Sequence, residues 1–278
     1  MREVTGRFMW ITPGRVLYGG LLGEPSVRRL GAWALYFSAG APLRLAMGAQ
    51  ADAQPRWLEG RIALVPPYEP HRVASPLRRL PDLLIEPETL DPGRLDGALA
   101  EVFQGPAGML PASQPGVAAL LDRLCEADRH LAARADPLPA GDAAFDRLVF
   151  GAPLPVRALD PRIRQTLALL EAAGAATVSG EVLAEAVGLS FSRFLHLFKD
   201  EVGVPLRTFR SWKRARSWLS HVTRDANLTD IAYSTGYPDS AHFSRSVRQV
   251  FGLQPKDVVA GCRRLALHGE PPAPEPRG

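Results

Sequence analysis

Ser192, Arg193, His196 and Lys199 stand in the stretch "LSFSRFLHLFKDEVG", and Ser240, His242, Ser244, Arg245 and Arg248 stand in "DSAHFSRSVRQVFG". Neither set has the makeup of a catalytic or metal centre. Both combine hydroxyl, imidazole and cationic groups on the polar side of an apolar stripe. Such groups exchange hydrogen bonds with base edges and neutralise phosphates, the chemistry of a helix lying in a DNA groove. The stripes are Phe194, Leu197 and Phe198 in the first stretch and Phe243, Val247 and Phe251 in the second, and their spacing predicts helices with one buried side.

Each stretch follows a shorter apolar segment, and together they form a repeat. Leu183-Ala184 leads to Gly188 as Ile231-Ala232 leads to Gly236, and Gly203 and Gly252 close the two copies five residues after Phe198 and Val247. The spacing predicts a helix-turn-helix written twice. A short helix packs Leu183, Ala184 and Val187; a glycine supplies positive φ; a small alanine admits the next helix; Ser190, and Asp239 or Ser240, cap it. One such unit alone also fits an ordinary helical corner with a solvated polar face. Two with matched ends point to a bipartite reader of DNA.

Between the copies, Pro205 to Thr229 reads as a long basic helix. Phe209, Trp212, Leu219 and Val222 face inward, Arg210, Lys213, Arg214 and Arg216 line its length, and Thr229 caps the helix after it. A stiff connector of this kind would fix the separation of the reading helices. Charge is distributed accordingly. The whole chain has a net charge of only +4, but Thr177 to Leu265 holds 13 Lys+Arg against 8 Asp+Glu, while the remainder is nearly balanced at 20 against 21.

From about Asp160 to Arg263 the sequence resembles the DNA-binding domain of AraC/XylS-type bacterial transcription regulators. The resemblance rests on "LTDIAYSTGYPDSAHFSRSVRQVFGLQPKDV", in particular Ile231-Ala232, Gly236-Tyr237, Ser240, His242-Phe243, Arg245, Phe251-Gly252 and Pro255. It implies a sequence-specific regulator, an activator by the family's tendency, with two helix-turn-helix units joined by a long helix and both recognition helices on one face of the duplex. Its implied partners are double-stranded promoter DNA, RNA polymerase, a small-molecule effector and a second copy of the chain. Carried over by position, the base-contacting places are Ser192, Arg193, Leu195 and His196, then Ser240, Ala241, His242, Ser244 and Arg245. Arg193 and Arg245 suit bidentate guanine contacts, and Leu195 and Ala241 at most touch a thymine methyl. Lys199, Arg207, Lys213 and Arg248 are phosphate-contact candidates. Trp218, His221 and Val247 depart from the family's usual residues and bear on the packing of the connector.

The elements ahead of this region have another rhythm. "RVLYGGLL", "AWALYF", "PLRLAM", "RIALVPP" and "DLLIEP" are short apolar runs between Gly and Pro, which predict a small β-sandwich or barrel. The turn in "ALVPPYEPHRV" is similar to that of cupin-like sensor domains. The fold class is then α+β. Its expected parts are a cupin-like sensor over 1–112, an amphipathic helix and linker over 113–156, the double helix-turn-helix domain over 157–265, and a disordered Pro-rich tail over 266–278. A pocket in the sensor would be lined by Trp33, Tyr36, Trp57, Tyr68 and His71, with Arg28, Arg29 and Arg44 as further candidates; Trp33 and Tyr36 also suit simple core positions. In the 113–156 segment, Val117, Leu120, Leu121, Leu124 and Leu131 form a stripe that fits packing on the same chain or pairing with a second copy. Farther on, Asp160 and Pro161 suit a helix start and Gly174 its stop.

Enzyme chemistry has little to stand on. His71 is the single histidine before residue 130, so no His-rich metal centre can be assembled in the front region, and no cofactor is expected. Gly-x-Ser-x-Gly, P-loop and dinucleotide fingerprints are absent. The alternative function, a cupin-like enzyme with an accessory helical domain, would have to use other groups. A thiol-based alkyl transfer would need a reactive cysteine, and Cys125 falls on the apolar side of its helix; Cys262 is far from it in the chain. No run approaches 18 apolar residues and the start has no continuous apolar segment, which points to a cytoplasmic protein without a membrane partner.

Overall fold

The structure is a computed structural model. It describes residues 6–21, 24–48, 55–77, 79–134, 136, 138–172, 178–221, 228–252, 255 and 265–269. Strands β1 (Arg7–Ile11), β2 (Arg15–Leu21), β3 (Trp33–Phe37), β4 (Leu43–Met47), β5 (Leu58–Gly60), β6 (Ile62–Val65), β7 (His71–Ala74) and β8 (Arg79–Ile85) come first. Helix α1 (Gly97–Phe103), strand β9 (Gly108–Met109) and helices α2 (Pro115–Ala132) and α3 (Asp142–Phe150) follow. The C-terminal part contains α4 (Pro161–Ala172), α5 (Gly180–Ala186), α6 (Phe191–Val202), α7 (Leu206–Ser217), α8 (Leu228–Ser234), α9 (Ser240–Phe251) and strand β10 (Leu265–Gly269). The chain is thus sheet-rich in front and helical behind.

The strands form a seven-stranded sheet in the order β10-β1-β2-β8-β3-β6-β9 and a three-stranded sheet in the order β5-β4-β7. Alternation along β3 shows how the large sheet is covered. Ala34 and Tyr36 face a core shared with Leu43, Leu45 and Val73 of the small sheet. Leu35 and Phe37 face the opposite core, where Leu120, Leu124, Phe145 and Val149 of α2 and α3 cover the sheet. Burial on both faces is why these strands read as continuous apolar runs. A third core holds Ile163, Leu183, Phe194, Phe198 and Phe209 from α4 to α7.

The first core also contains Trp212, Trp218, Ile231, Phe243, Val247 and Phe251. The second helix-turn-helix unit therefore packs into the front sheets, whereas the first unit packs into a core of its own. The link is electrostatic as well as apolar. The Glu86 carboxylate, 1% exposed, accepts from Trp212 Nε1 at 2.9 Å, Lys213 Nζ at 2.9 Å and Arg216 Nε at 2.8 Å. Glu88 pairs with Lys213 at 2.6 Å. Burial alone would lower the Lys213 pKa, but these two carboxylates outweigh it and raise the pKa.

Several expectations are corrected. The segment expected to be a linker contains α3, because Phe145 and Val149 lie one turn apart on the sheet and Arg15, 1% exposed, grips Asp146 through Nε at 2.9 Å and Nη2 at 3.1 Å. The connector is shorter than a single long helix: α7 ends at Ser217 and a 3₁₀ turn, Trp218–His221, brings Trp218, Leu219 and His221 inward. Trp218 stacks edge-on to Phe243 at 5.8 Å and Phe251 at 6.2 Å, so this departure from the family pattern fills the space between the second unit and the sheets. Thr229 lies inside α8 rather than capping it. The tail is not wholly extended into solvent, since β10 pairs in parallel with the edge of β1. The α2 leucines are buried against their own sheet, so that stripe is not available to a second copy. Asp160 does cap α4, accepting from Arg162 N at 2.8 Å. Gly174, Val222, Cys262 and the tail beyond Gly269 lie outside the described residues.

Candidate nucleic-acid interface

The two units close their turns with the same backbone bonds. Leu189 N donates to Ala184 O at 3.0 Å in the first, and Tyr237 N donates to Ala232 O at 2.8 Å in the second. Gly188 and Gly236 supply the left-handed residue each turn requires, at φ of +67° and +76°. Ala184 and Ala232 are fully buried at the crossing, where a larger side chain would push the helices apart. Each recognition helix ends alike: Gly203 N donates to Lys199 O and Gly252 N to Arg248 O, both at 2.8 Å. The starts differ. Asp239 accepts from His242 N at 2.6 Å, and this bond holds the Asp239 carboxyl below its usual pKa range. Ser190 occupies the cap position of α6 without a side-chain cap bond.

Phe194 and Phe198 on α6, and Phe243, Val247 and Phe251 on α9, are buried; Leu197 is half-buried. On the other side of α6, Ser192, Arg193, His196 and Lys199 are exposed, while Leu195 is half-buried against the core. On α9, Ala241, His242, Arg245 and Arg248 are exposed and Ser240 and Ser244 half-buried. A concavity of about 790 Å³ is bordered by His196 and Lys199 of α6, Arg207, Arg210 and Arg214 of α7, and His242 of α9. Both recognition helices thus reach one basic groove. Burial, and then the charge of Arg214, hold Arg210 below its ordinary pKa. A polyanion entering the groove would relieve that repulsion.

Lys213 is the site residue the structure moves. Expected on phosphate, it is bound instead to Glu86 and Glu88, because its position on α7 faces the front sheets. Arg216 is committed in the same way, its Nη2 donating to Thr12 O at 2.6 Å. Arg207 remains exposed at the start of α7.

The expected pocket residues do not form one lining. Trp33 points to the opposite face of the sheet from Tyr36 and meets Phe103 edge-on at 5.6 Å, as strand alternation demands. Trp57 lies under the Arg44 guanidinium at 5.2 Å. Tyr68, in a left-handed conformation at φ +63°, is half-buried against the first core. Tyr36 and His71 do come together, with 2.8 Å between the phenol oxygen and Nε2. Because His71 Nδ1 faces the Glu69 carbonyl at 2.9 Å, it must be the donor there, and Nε2 accepts from Tyr36. Burial lowers the His71 pKa to about 3, which keeps the ring neutral. Asp82 was missed by sequence reasoning, although an acid alternating with Leu80 and Leu84 in an apolar strand signals an inward carboxylate. Glu86 was missed too, and nothing local marks it.

The helix-turn-helix domain family model matches residues 183–260. HTH-type transcriptional activator RhaS of Enterobacter sp. (strain 638) is 34% identical over 105 residues, 37% of this chain and 37% of its own length. Invasion protein InvF of Salmonella typhimurium is 30% identical over 78 residues, 28% of this chain and 36% of its own length. The match therefore spans only about a third of either relative. Over most of the chain the fold is similar to that of ToxT from Vibrio cholerae. An apo variant gives a TM-score of 0.56 at 10% identity, covering 90% of this chain and 98% of the other. An unsaturated fatty acid bound form gives 0.51 at 10% identity, covering 96% and 99%. Residues 183–260 thus match a helix-turn-helix domain, carried behind a sheet-rich region in a fold similar to that of ToxT.

Proposed function

We propose that the chain is a sequence-specific DNA-binding regulator of transcription, an activator, whose two helix-turn-helix units read promoter DNA together. The observation that carries this is the doubled unit itself: the same turn and end bonds in both copies, with exposed polar faces that border one basic groove. Ser192, Arg193, His196, Ser240, His242, Ser244 and Arg245 reach base edges, Leu195 and Ala241 offer apolar contact, and Lys199, Arg207 and Arg248 hold phosphates. The activator assignment follows the similarity to RhaS, a transcriptional activator. RNA polymerase and a second copy of the chain are its further partners, and a dimer would use a surface other than the α2 leucine stripe. Among the described residues no helix is long and apolar enough to cross a membrane, and the setting proposed for the chain is the cytoplasm.

The front sheets take the sensing role, by analogy with ToxT, of which one form binds an unsaturated fatty acid. An effector acts here only through different affinity for two arrangements of the chain. The enzyme alternative finds no support in the site. The Cys125 thiol is buried and burial pushes its pKa up to about 11, so it is a poor nucleophile at neutral pH.

The test is binding to the DNA upstream of the chain's own gene across a salt series, for the wild type and for Arg193→Ala combined with Arg245→Ala. Loss of sequence discrimination, at about 1–3 kcal/mol per arginine, with most of the salt slope retained, is the expected result. Wild-type binding that is indifferent to sequence at every salt concentration would overturn the proposal.

A further inference from the structure

A cavity of about 740 Å³ lies where the front region, the connecting segment 156–159, α4 and α7 meet. Small-molecule sites occupy about 300–1,000 Å³, so its size suits a ligand. Its walls are chiefly apolar: Leu159, Leu167, Leu170 and Phe209 line it, and the last three also belong to the third core. Val156 borders it while 64% exposed, an apolar side chain left largely to water.

One polar group on these walls is short of a partner. Glu88 is 9% exposed; its Oε1 pairs with Lys213 at 2.6 Å, and its Oε2 is buried without a hydrogen-bond partner among the described residues. A buried carboxylate oxygen in that state costs free energy until a donor reaches it. The polar neighbours are committed elsewhere: Lys213 and Arg216 to the two glutamates, and Thr89 Oγ1 to Glu86 O at 2.8 Å. Among the other charged residues of the walls, Arg157 and Arg164 outnumber Glu171, which disfavours an ammonium head, while a carboxylate head would face Glu88.

We propose that this cavity binds an apolar molecule carrying an uncharged hydroxyl, an alcohol or a phenol, whose O–H donates to Glu88 Oε2. The segment that borders it is pinned at both ends. Asp91 N donates to Pro155 O at 2.8 Å on the front side, and Asp160 N donates to Glu201 Oε2 at 2.8 Å on α6. Leu170 and Phe209 share their core with Phe194 and Phe198 of the first recognition helix. A ligand wedged between them and Glu88 therefore fastens the first helix-turn-helix unit, otherwise built on a core of its own, to the front region. Only the consequence for DNA reading rests on the proposed function; the binding of a hydroxyl compound does not.

Thermal unfolding of the full chain is measured with hexanol, its methyl ether, hexylammonium and hexanoate. The wild type should be stabilised most by hexanol, which should bind about tenfold more tightly than the ether that lacks the donor. Hydrogen exchange in α4 and α6 should slow with hexanol. Glu88→Ala should respond to hexanol and the ether alike. Ala168→Trp fills the cavity from an exposed position on α4 and should lose both responses; it carries the test if the Glu88 variant does not fold. DNA affinity should shift with hexanol in the wild type and stay constant in Ala168→Trp. No hexanol response, a response to the ether, the ammonium or the carboxylate equal to that of hexanol, or a full response in Ala168→Trp would overturn the inference. A hexanol response that Ala168→Trp removes, in a protein that binds no DNA, would uphold the site and remove the regulator proposal instead.

Discussion

Leu189 N to Ala184 O at 3.0 Å in the first helix-turn-helix unit and Tyr237 N to Ala232 O at 2.8 Å in the second are the same bond, yet the helices they join rest on different neighbours. Phe194 and Phe198 of the first unit pack with Ile163, Leu183 and Phe209, all from the helical region. Phe243, Val247 and Phe251 of the second pack with Trp212 and Trp218 in a core that extends to Tyr36, Leu45 and Val73 of the front sheets. Local sequence makes the unit, and long-range packing decides what the unit is attached to. One recognition helix is thereby part of the front region's own core, while the other reaches it through α7.

The attachment can be broken at Glu86. Its buried carboxylate joins Trp212, Lys213 and Arg216 to the front sheets, and Glu86→Ala leaves two half-buried cations and the buried Trp212 N–H short of a partner. A loss of about 3–5 kcal/mol in urea unfolding is expected. Hydrogen exchange should quicken in α8 and α9 and stay unchanged in α5 and α6. Equal quickening in both units would mean that they share one support after all.

A smaller effect sharpens the comparison from within. Gly188→Ala and Gly236→Ala each place a Cβ on a left-handed residue, at an intrinsic cost of about 1–2 kcal/mol. No atom lies within 4 Å of where the Gly188 Cβ would sit, so the cost there is backbone strain alone. Gly236→Ala should lower the free energy of global unfolding, because its unit belongs to the front core. Gly188→Ala should appear chiefly as local opening of α5 and α6 in hydrogen exchange. The same global loss from both substitutions would contradict the separate supports.

The doubled motif was legible because its signals are local: glycine and alanine at fixed spacing, apolar residues one turn apart, and a cap before each recognition helix. The strands of the front region were legible from the same kind of signal. What escaped were contacts between distant parts of the chain. Lys213 looks like any cation on a basic helix until Glu86 and Glu88 are brought against it. Helix α3 was hidden by the prolines that flank it, and its support comes from Arg15, some 130 residues earlier. Strand β10 has no strong alternation of its own and forms by pairing with β1. Trp33 and Tyr36 lie in one aromatic-rich strand, but their odd spacing puts them on opposite faces of the sheet.

The most direct measurement is a base-by-base footprint of the full chain on the DNA upstream of its gene, with Arg193→Ala and Arg245→Ala tested singly. The account predicts two separate blocks of protected bases, one weakened by Arg193→Ala and the other by Arg245→Ala. A single block weakened by only one substitution, with the other without effect, would contradict a reader built from two helices.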